Sequence, residues 1–387
     1  MYDQAGGQLS HSQTIVPHDI KLHDNFGFGL DVDGDRLAIG SLYTQRSGSD
    51  ERAGAVFIYE HDGERWVETD RIEPPAEVDR EFGAVVELHG RTLIVHEFRM
   101  DRFWVYHETA SGWELVQLVL PPVPVSLQAA FGFEWAVNGD WFVTSAYLDR
   151  SVTPSGGSLY FYKRRPGGTL DFVQKVAATE AMYLGITMDF ADDTLAVGAP
   201  YASRGVLFQG VVQLYEFDGD QWVLDGELVQ REPRETREFG YTLVADEGRM
   251  FVRSINEYTP VSRGMVHLFE RQADGSWLQT ERMEPNPVEY ADHYGSAMAL
   301  AGDRLLVGAN RDQSPSGGLT GAAYFFDLTC TDCPADLDAD GALTIYDFLT
   351  FQNLFDAGDP LADFDSDGEL TIFDFLAFQS AFDAGCA

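Results

Sequence analysis

Acidic side chains recur at alternate positions in two twelve-residue segments near the C-terminus. One segment begins at Asp336 and the other at Asp363, and each has a glycine at its sixth position and an aspartate at its twelfth. Ca²⁺ takes about six to eight oxygen ligands, and a loop of this pattern can wrap the ion. The pattern therefore predicts two calcium ions, held by Asp336, Asp338, Asp340, Ala342, Thr344, Asp347, Asp363, Asp365, Asp367, Glu369, Thr371 and Asp374. Ala342 and Glu369, at the seventh loop positions, are expected to contribute backbone carbonyls.

Nearly identical runs follow the two loops, beginning at Ile345 and at Ile372. In both runs apolar residues recur at helical spacing, which predicts two short helices. Some of the aromatic side chains must form a small core between these helices. A module of this size cannot bury them all, so the others are expected to form an exposed docking face.

Three cysteines bracket this acidic segment, at Cys330, Cys333 and Cys386, and the rest of the chain contains none. The placement favours a disulfide between Cys333 and Cys386. A Cys330–Cys386 bond, a local Cys330–Cys333 bond and free thiols remain open. Disulfides and weak calcium sites both belong outside the cell, so the expected location is extracellular or at the cell surface.

The chain of 387 residues has a formal net charge of −37. This charge repels phosphate backbones and anionic lipids, which argues against nucleic acid as a partner. No apolar run reaches the ~20 residues that span a bilayer, so membrane insertion is not expected. The first ten residues also lack the pattern of a signal peptide.

The first 329 residues contain a unit that repeats about every fifty-five residues. Each unit starts at Phe-Gly or a close variant, at Phe26, Phe82, Phe131, Tyr183, Phe239 and Tyr294. Two short strands around a tight turn follow, and then two more strands, of which the last usually opens with tryptophan. Four-stranded antiparallel sheets packed face to face in a ring form a β-propeller.

The last unit has three strands, whereas the segment from Gln8 to Val16 precedes the first unit as an extra strand. The predicted fold is therefore mainly β: a six-bladed propeller over residues 1–329, with the N-terminal strand closing the last blade. A small α-helical calcium-binding module over residues 330–387 follows it. In an alternative, the N-terminal strand pairs with a neighbouring molecule and builds a polymer.

The propeller units resemble FG-GAP repeats, the propeller units of integrin alpha chains, in segments such as Val197-Gly198-Ala199-Pro200. Family members that bind calcium in the propeller carry an extended Asp-rich loop between the first two strands. Here Asp31, Asp33 and Asp35 lie in a tight hairpin instead, and calcium is not expected there.

The C-terminal segment, residues 333–386, resembles the cysteine-bracketed dockerin modules of secreted bacterial proteins, because Asp rather than Glu ends both loops. The resemblance implies a cohesin-like or other surface protein as receptor. It also implies that the helix residues after each loop face that receptor, and that the twofold repeat permits two docking orientations.

One face of the propeller is expected to carry a ring of aromatic residues at equivalent loop positions. Such a ring is a platform for a glycan or a peptide, although the same residues could merely pack their own loops. The candidate residues are Tyr43, Phe98, Tyr147, Tyr201, Tyr258 and Arg311. His96 and Arg253 interrupt the repeat and are expected to line the central channel.

No Gly-x-Ser-x-Gly or HExxH motif is present, and the histidines are scattered. The sequence therefore predicts a protein that is not an enzyme: a secreted, calcium-dependent attachment protein with a propeller as recognition domain. Two alternatives are a polysaccharide-active enzyme anchored by the same module and a self-assembling structural subunit.

Overall fold

The computed structural model describes the chain except for residues 6–7, 18, 79, 98–100, 123–128, 181, 232–236, 257–262, 284–292, 312–320, 329–334, 338–342, 366–367, 369 and 385–387. The chain divides into two compact units, residues 1–302 with 306–324 and residues 303–305 with 325–387. The expected domain boundary after residue 329 lies outside the described residues and stays a prediction.

Twenty-five strands are defined in the described part of the chain. An N-terminal hairpin consists of β1 (Tyr2–Ala5) and β2 (Gln8–His11). Six sheets follow, each a blade. Blade 1 contains β3 (Phe26–Asp33), β4 (Arg36–Ser41), β5 (Ala55–His61) and β6 (Trp66–Ile72). Blade 2 contains β7 (Phe82–His89), β8 (Thr92–Glu97), β9 (Phe103–Thr109) and β10 (Gly112–Val119). Blade 3 contains β11 (Phe131–Asn138), β12 (Trp141–Ala146), β13 (Ser158–Arg164) and β14 (Leu170–Ala177).

Blade 4 contains β15 (Met188–Ala191), β16 (Thr194–Ala199), β17 (Val211–Phe217) and β18 (Trp222–Leu228). Blade 5 contains β19 (Leu243–Asp246), β20 (Arg249–Asn256), β21 (Arg263–Arg271) and β22 (Trp277–Met283). Blade 6 contains β23 (Tyr294–Ala301), β24 (Arg304–Ala309) and β25 (Ala322–Asp327). Within each sheet the strands neighbour one another in chain order. The prediction of a six-bladed β-propeller is confirmed.

The apolar core of the propeller lies between neighbouring blades. One cluster joins Val56 and Ile58 of blade 1 to Val86, Val95 and Trp104 of blade 2. Equivalent clusters join blades 2 and 3, blades 3 and 4, and blades 4 and 5. Because each sheet buries a face against the next, a single blade cannot be stable on its own.

The Phe-Gly starts have a common geometry that explains the repeat. In the fourth unit the pair equivalent to Phe-Gly is Leu184-Gly185. The residue before the pair has a positive φ in all six units, at Asn25, Glu81, Ala130, Tyr183, Glu238 and His293. The aromatic residue then packs against a ring of the third strand, as in the Phe26–Phe57 contact with centroids 5.5 Å apart. The glycine of the start lies close to the preceding blade: a Cβ on Gly40 of blade 1 would lie 1.9 Å from the carbonyl oxygen of Gly83.

The N-terminal segment does not close blade 6 by strand pairing, so that part of the predicted fold is wrong. Among the described residues, β1 and β2 pair only with each other, and blade 6 has three strands. The amide of Gln13 instead makes two 2.8 Å hydrogen bonds to the backbone of Trp66 in blade 1. Gln117 and Gln174, on the fourth strands of blades 2 and 3, bind the following blade in the same way. Gln13 therefore makes the hydrogen bonds that the fourth strand of a blade makes to the next blade. It does so without adding a strand to blade 6.

Two helices follow in the C-terminal segment, α1 (Ile345–Ala357) and α2 (Ile372–Ala384), with a 3₁₀ turn at Pro360–Ala362 between them. Their core contains Phe351 and Phe378, whose rings stack with centroids 4.4 Å apart. The predicted helices are confirmed. Neither helix is long and apolar enough to span a membrane.

Candidate functional sites

The second acidic loop brings three carboxylates together. Ligand oxygens of Asp363, Asp365 and Asp374 all lie within 4.8 Å of one another. Oxygens on opposite sides of one Ca²⁺ are separated by up to about twice the metal–oxygen distance of ~2.4 Å, so carboxylates this close could share one ion. Asp367 and Glu369, predicted as further ligands, lie outside the described residues.

The loop backbone fixes the orientation of these carboxylates. Gly368 N–H donates to Asp363 at 3.0 Å, and Thr371 N–H donates to Asp374 at 2.7 Å. The N–H of Thr371, helped by those of Asp365 and Phe364, lowers the pKa of Asp374. Asp374 therefore stays ionised, as a cation ligand must.

The first acidic loop repeats part of this geometry. The side chain of Asp347 is buried and accepts hydrogen bonds from the backbone of Leu337 and of Thr344, both at 2.8 Å. Asp374 occupies the same position of the second loop and is equally buried. Asp338, Asp340 and Ala342 lie outside the described residues, so the convergence of this ligand set with Asp336 stays a prediction. Cys333 and Cys386 also lie outside them, and their disulfide stays a prediction too.

Large apolar side chains remain exposed on both helices at equivalent positions. Ile345 and Leu349 of α1 are 64% and 45% exposed, and Ile372 and Leu376 of α2 are 62% and 51% exposed. A cleft of about 430 Å³ lies between the helices, lined by Phe348, Phe351, Gln352, Phe355, Asp356, Ile372 and Phe375. Exposed apolar surface of this kind is typical of a protein-docking site.

The predicted aromatic residues of the propeller face contact the next blade rather than standing alone. The Tyr43 hydroxyl donates to Glu81 at 3.1 Å. Tyr147 lies 6.4 Å from Tyr183, which in turn lies 5.0 Å from Tyr201. Blades 3 and 4 therefore share one aromatic cluster, and its three tyrosines are half-buried. Burial raises the pKa of Tyr201 to about 12. Phe98 and Tyr258 lie outside the described residues, and Arg311 follows β24 on an exposed turn.

His96 and Arg253 occupy the strand position that is glycine at Gly40 and Gly198. His96 is buried and its Nε2 lies 3.0 Å from the carbonyl oxygen of Phe131. Arg253 is also buried, and its Nε donates to the carbonyl oxygen of Tyr294 at 3.0 Å. Both side chains therefore contact the Phe-Gly start of the following blade. They were expected only to line the channel, and this contact was not predicted.

Asp31 and Asp33 also join neighbouring blades. Leu88 N–H donates to Asp31 at 2.6 Å, and Gly90 N–H donates to Asp33 at 2.6 Å. The carboxylates that resemble the start of a calcium loop therefore accept hydrogen bonds from the backbone of blade 2.

Four acidic residues, of which the sequence pattern pointed only to Asp31, lie on the first strands of four successive blades: Asp31, Glu87, Glu134 and Asp189. First strands of successive blades contact one another, so these residues lie toward the centre of the propeller. Burial, reinforced by Asp189, raises the pKa of Glu134 to about 8. Burial also raises the pKa of Asp189 to about 6, although the N–H groups of Ala245 and Phe190 oppose the shift.

A sequence signal exists for three of these acids, whereas Glu134 lies three residues after Phe131 and does not share it. Asp31 and Glu87 both lie five residues after the Phe of their Phe-Gly start, and Asp189 lies five residues after Leu184. This spacing indicates an acid near the centre of the propeller only once the first strand is known to be the innermost strand of each blade.

Ser254 and His267 form the pair that most resembles a nucleophile and a base. Ser254 Oγ lies 2.7 Å from His267 Nε2, and both side chains are buried. Arg231 N–H donates to Gln279 Oε1, which turns Gln279 Nε2 toward His267 Nδ1 at 3.2 Å. Nδ1 therefore accepts and Nε2 carries the proton, so His267 donates to Ser254 and does not activate it. Burial lowers the pKa of His267 to about 4, which keeps the ring neutral.

Comparison with protein families gives a match to the FG-GAP repeat over residues 9–59 and 277–326. No curated protein matches the chain. Among solved structures, a functionally unknown protein from Desulfotomaculum acetoxidans is similar at 11% identity and a TM-score of 0.50, covering 79% of this chain and 90% of that one.

Two further solved structures carry enzyme names. The periplasmic gluconolactonase of Pseudomonas aeruginosa is 16% identical, with a TM-score of 0.48 and coverage of 84% of this chain and 94% of that one. A candidate 6-phosphogluconolactonase from Bacteroides uniformis is 9% identical, with a TM-score of 0.49 and coverage of 77% and 88%.

The prediction that the protein is not an enzyme, drawn from missing catalytic motifs, is contradicted: two of the similar solved propellers carry lactonase names. At these identities the similarity extends to the fold, and no lactonase activity is transferred to this chain. The chain is a six-bladed β-propeller in which residues 9–59 and 277–326 match the FG-GAP repeat.

Proposed function

We propose that the protein is an extracellular attachment protein whose C-terminal segment binds calcium and docks to a surface receptor, while its propeller presents a ligand-binding face. The observation that carries the proposal is the convergence of Asp363, Asp365 and Asp374 within 4.8 Å. In the bound state these residues would hold one ion, and the equivalent residues of the first loop would hold a second.

The charge of the C-terminal segment supports a cation-dependent fold. Residues 330–387 contain thirteen Asp and Glu residues and no Lys or Arg. Two Ca²⁺ ions would offset four of these charges at the points where carboxylates are closest. Calcium would therefore stabilise the packed helices, and receptor binding would depend on it.

The docking part of the proposal rests on the exposed apolar residues of α1 and α2. Ile345 and Leu349 correspond to Ile372 and Leu376 in the duplicated runs, so each helix offers a similar apolar face. A cohesin-like receptor is the partner class that the dockerin resemblance implies. The aromatic cluster around Tyr147, Tyr183 and Tyr201 is the proposed surface for a glycan or peptide.

Calcium titration of the full-length, chelator-treated protein by calorimetry tests the ion site. Two binding events are expected, and one is expected in an Asp374→Ala variant. Docking is tested by pull-down from the surface fraction of the source organism with and without EDTA. A Leu349→Asp/Leu376→Asp variant should lose the captured receptor while retaining both calcium sites. Receptor capture that persists in EDTA would contradict the proposal.

A second candidate, a polysaccharide-active enzyme anchored in the same way, is favoured by one observation. The carboxyl groups of Glu134 and Asp189 lie on neighbouring inner strands, with their pKa values raised to about 8 and about 6. Carboxyl groups whose pKa values are driven apart can divide the roles of acid and base. Release of reducing ends from polysaccharides by the wild type, and its loss in Glu134→Gln, would support this candidate. Absence of release across a panel of polysaccharides would remove it.

A further inference from the structure

A polar cavity of about 240 Å³ lies on blade 5, at its junction with the chain that leaves blade 4. Its lining residues are Gln230, Arg231, His267, Gln279, Thr280, Glu281 and Arg282. The cavity is separate from the calcium loops and from the aromatic face, and none of its residues was selected from the sequence.

The floor of the cavity contains a buried amide without a partner. Gln230 is 2% exposed, yet neither its Oε1 nor its Nε2 has a hydrogen-bond partner among the described residues. A buried amide without partners is costly in free energy, and native structures rarely keep one without a reason. The neighbouring Gln279 differs, because both of its amide atoms are engaged, by Arg231 N–H and by His267.

The rim of the cavity carries mixed polar groups. Thr280, Glu281 and Arg282 follow one another along β22 and are exposed, so a ligand can reach the rim from solvent. Arginine supplies donors, glutamate supplies acceptors and threonine supplies both.

The chemistry of Gln230 selects the ligand class. A simple anion would pair with Nε2 alone, and a simple cation would pair with Oε1 alone, so either would leave one amide atom unsatisfied. Neighbouring hydroxyls both donate and accept and can satisfy both atoms. The volume is far more than the roughly 30 Å³ of one water molecule. It is also below the ~300–1,000 Å³ of sites for drug-sized ligands. We propose that this cavity binds one neutral sugar unit, with Gln230 as the buried anchor and Thr280, Glu281 and Arg282 as hydroxyl partners.

Ligand-observed saturation-transfer NMR and calorimetry on the full-length protein test the proposal, with free glucose, galactose and mannose as probes. Inorganic phosphate and tetramethylammonium serve as the anion and cation controls. At least one hexose is expected to bind, and both ions are expected to bind at least tenfold more weakly. Absence of binding by all three hexoses up to high millimolar concentration, or tighter binding of either ion, would overturn the proposal.

A matched pair of variants assigns the binding to this cavity. Gln230→Leu should weaken hexose binding at least tenfold and should not lower the melting temperature, because it removes an unpaired buried amide. Gln209→Leu is the control, since Gln209 is equally buried at 2% and also has an unpaired Oε1, but it lies outside the cavity. Thr280→Val, at the exposed rim, should weaken binding several-fold without affecting folding. Unchanged hexose affinity in both Gln230→Leu and Thr280→Val would overturn the proposal.

Discussion

Aspartate occurs at alternate positions in both parts of the molecule, with different results. In blade 1 the residues are Asp31, Asp33 and Asp35, and in the C-terminal segment they begin at Asp363 and Asp365. The carboxylates of blade 1 accept N–H groups of blade 2, at Leu88 and Gly90. Those of the C-terminal loop converge within 4.8 Å, together with Asp374.

The difference lies in the backbone that carries the two motifs. A strand directs successive side chains to opposite faces and spreads alternate ones along one face, where they can meet the edge of a neighbouring sheet. A loop that turns at Gly368 and continues into a helix can aim its carboxylates at one point. Spacing alone therefore identifies a possible cation site, whereas convergence distinguishes it from a hydrogen-bonding motif.

The largest expected effect that separates the two parts is produced by removal of calcium. EDTA should abolish the circular-dichroism signal of α1 and α2, because thirteen acidic residues then repel one another without a counter-ion. The propeller melt should move by less than a few degrees, since its core lies between blades. Re-addition of excess Ca²⁺ should restore the helical signal, and excess Mg²⁺ is the control. A helical signal that is unchanged by EDTA would show that the carboxylate cluster is not a calcium site.

A pair of alanine substitutions sharpens the comparison of the two aspartate motifs. Asp363→Ala should weaken one of the two calcium-binding events by roughly a hundredfold or more, because it removes a direct ligand. Asp31→Ala should leave both events unchanged, because that carboxylate binds backbone N–H groups. Calorimetric titration of the two variants side by side measures the difference. Loss of a calcium ion in Asp31→Ala would show that the blade motif binds metal.

The converse effect is expected on the stability of the propeller. Asp31→Ala leaves Leu88 N–H without its acceptor and should lower the free energy of unfolding by about 1–3 kcal/mol. Asp31→Asn retains an acceptor and removes the repulsion that Asp31 exerts on Glu87, so it should cost much less. Denaturant unfolding followed by tryptophan fluorescence measures both changes. Equal losses in the two variants would mean that the charge of Asp31, rather than its hydrogen bonds, matters.

Much of the fold could be predicted because the sequence repeats a local requirement. Each Phe-Gly start needs a positive φ before it, and Gly40 needs close backbone approach, so the pattern is visible without tertiary information. The helices after the acidic loops could be predicted for the same reason. The N-terminal strand was predicted wrongly, because the sequence of a strand does not specify the edge with which it pairs. Here β2 finds its partner in β1, a few residues away.

The sites could be predicted only where their residues are close in sequence. The acidic loops are contiguous, so their ligands could be named. Glu134 and Asp189 come from different blades, and Gln230 meets His267 only after blades 4 and 5 pack together. The Ser254–His267 pair also depends on the register of β20 against β21. Contacts of this kind follow from packing, which no single repeat encodes.

The smallest expected effect is the pH dependence of the propeller. Glu134 and Asp189 have folded-state pKa values raised to about 8 and about 6, whereas unfolded carboxyl groups titrate near pH 4. The folded state therefore binds more protons between these values, and the stability gained from them is lost as the pH rises from about 4 to 8. The melting temperature should fall by a few degrees between pH 5 and pH 8 at constant excess calcium. Glu134→Gln should flatten this slope, and Glu114→Gln, at an exposed position of β10, is the matched control that should leave it unchanged. A slope that is the same in wild type and Glu134→Gln would mean that Glu134 is ionised at the centre of the propeller across this range.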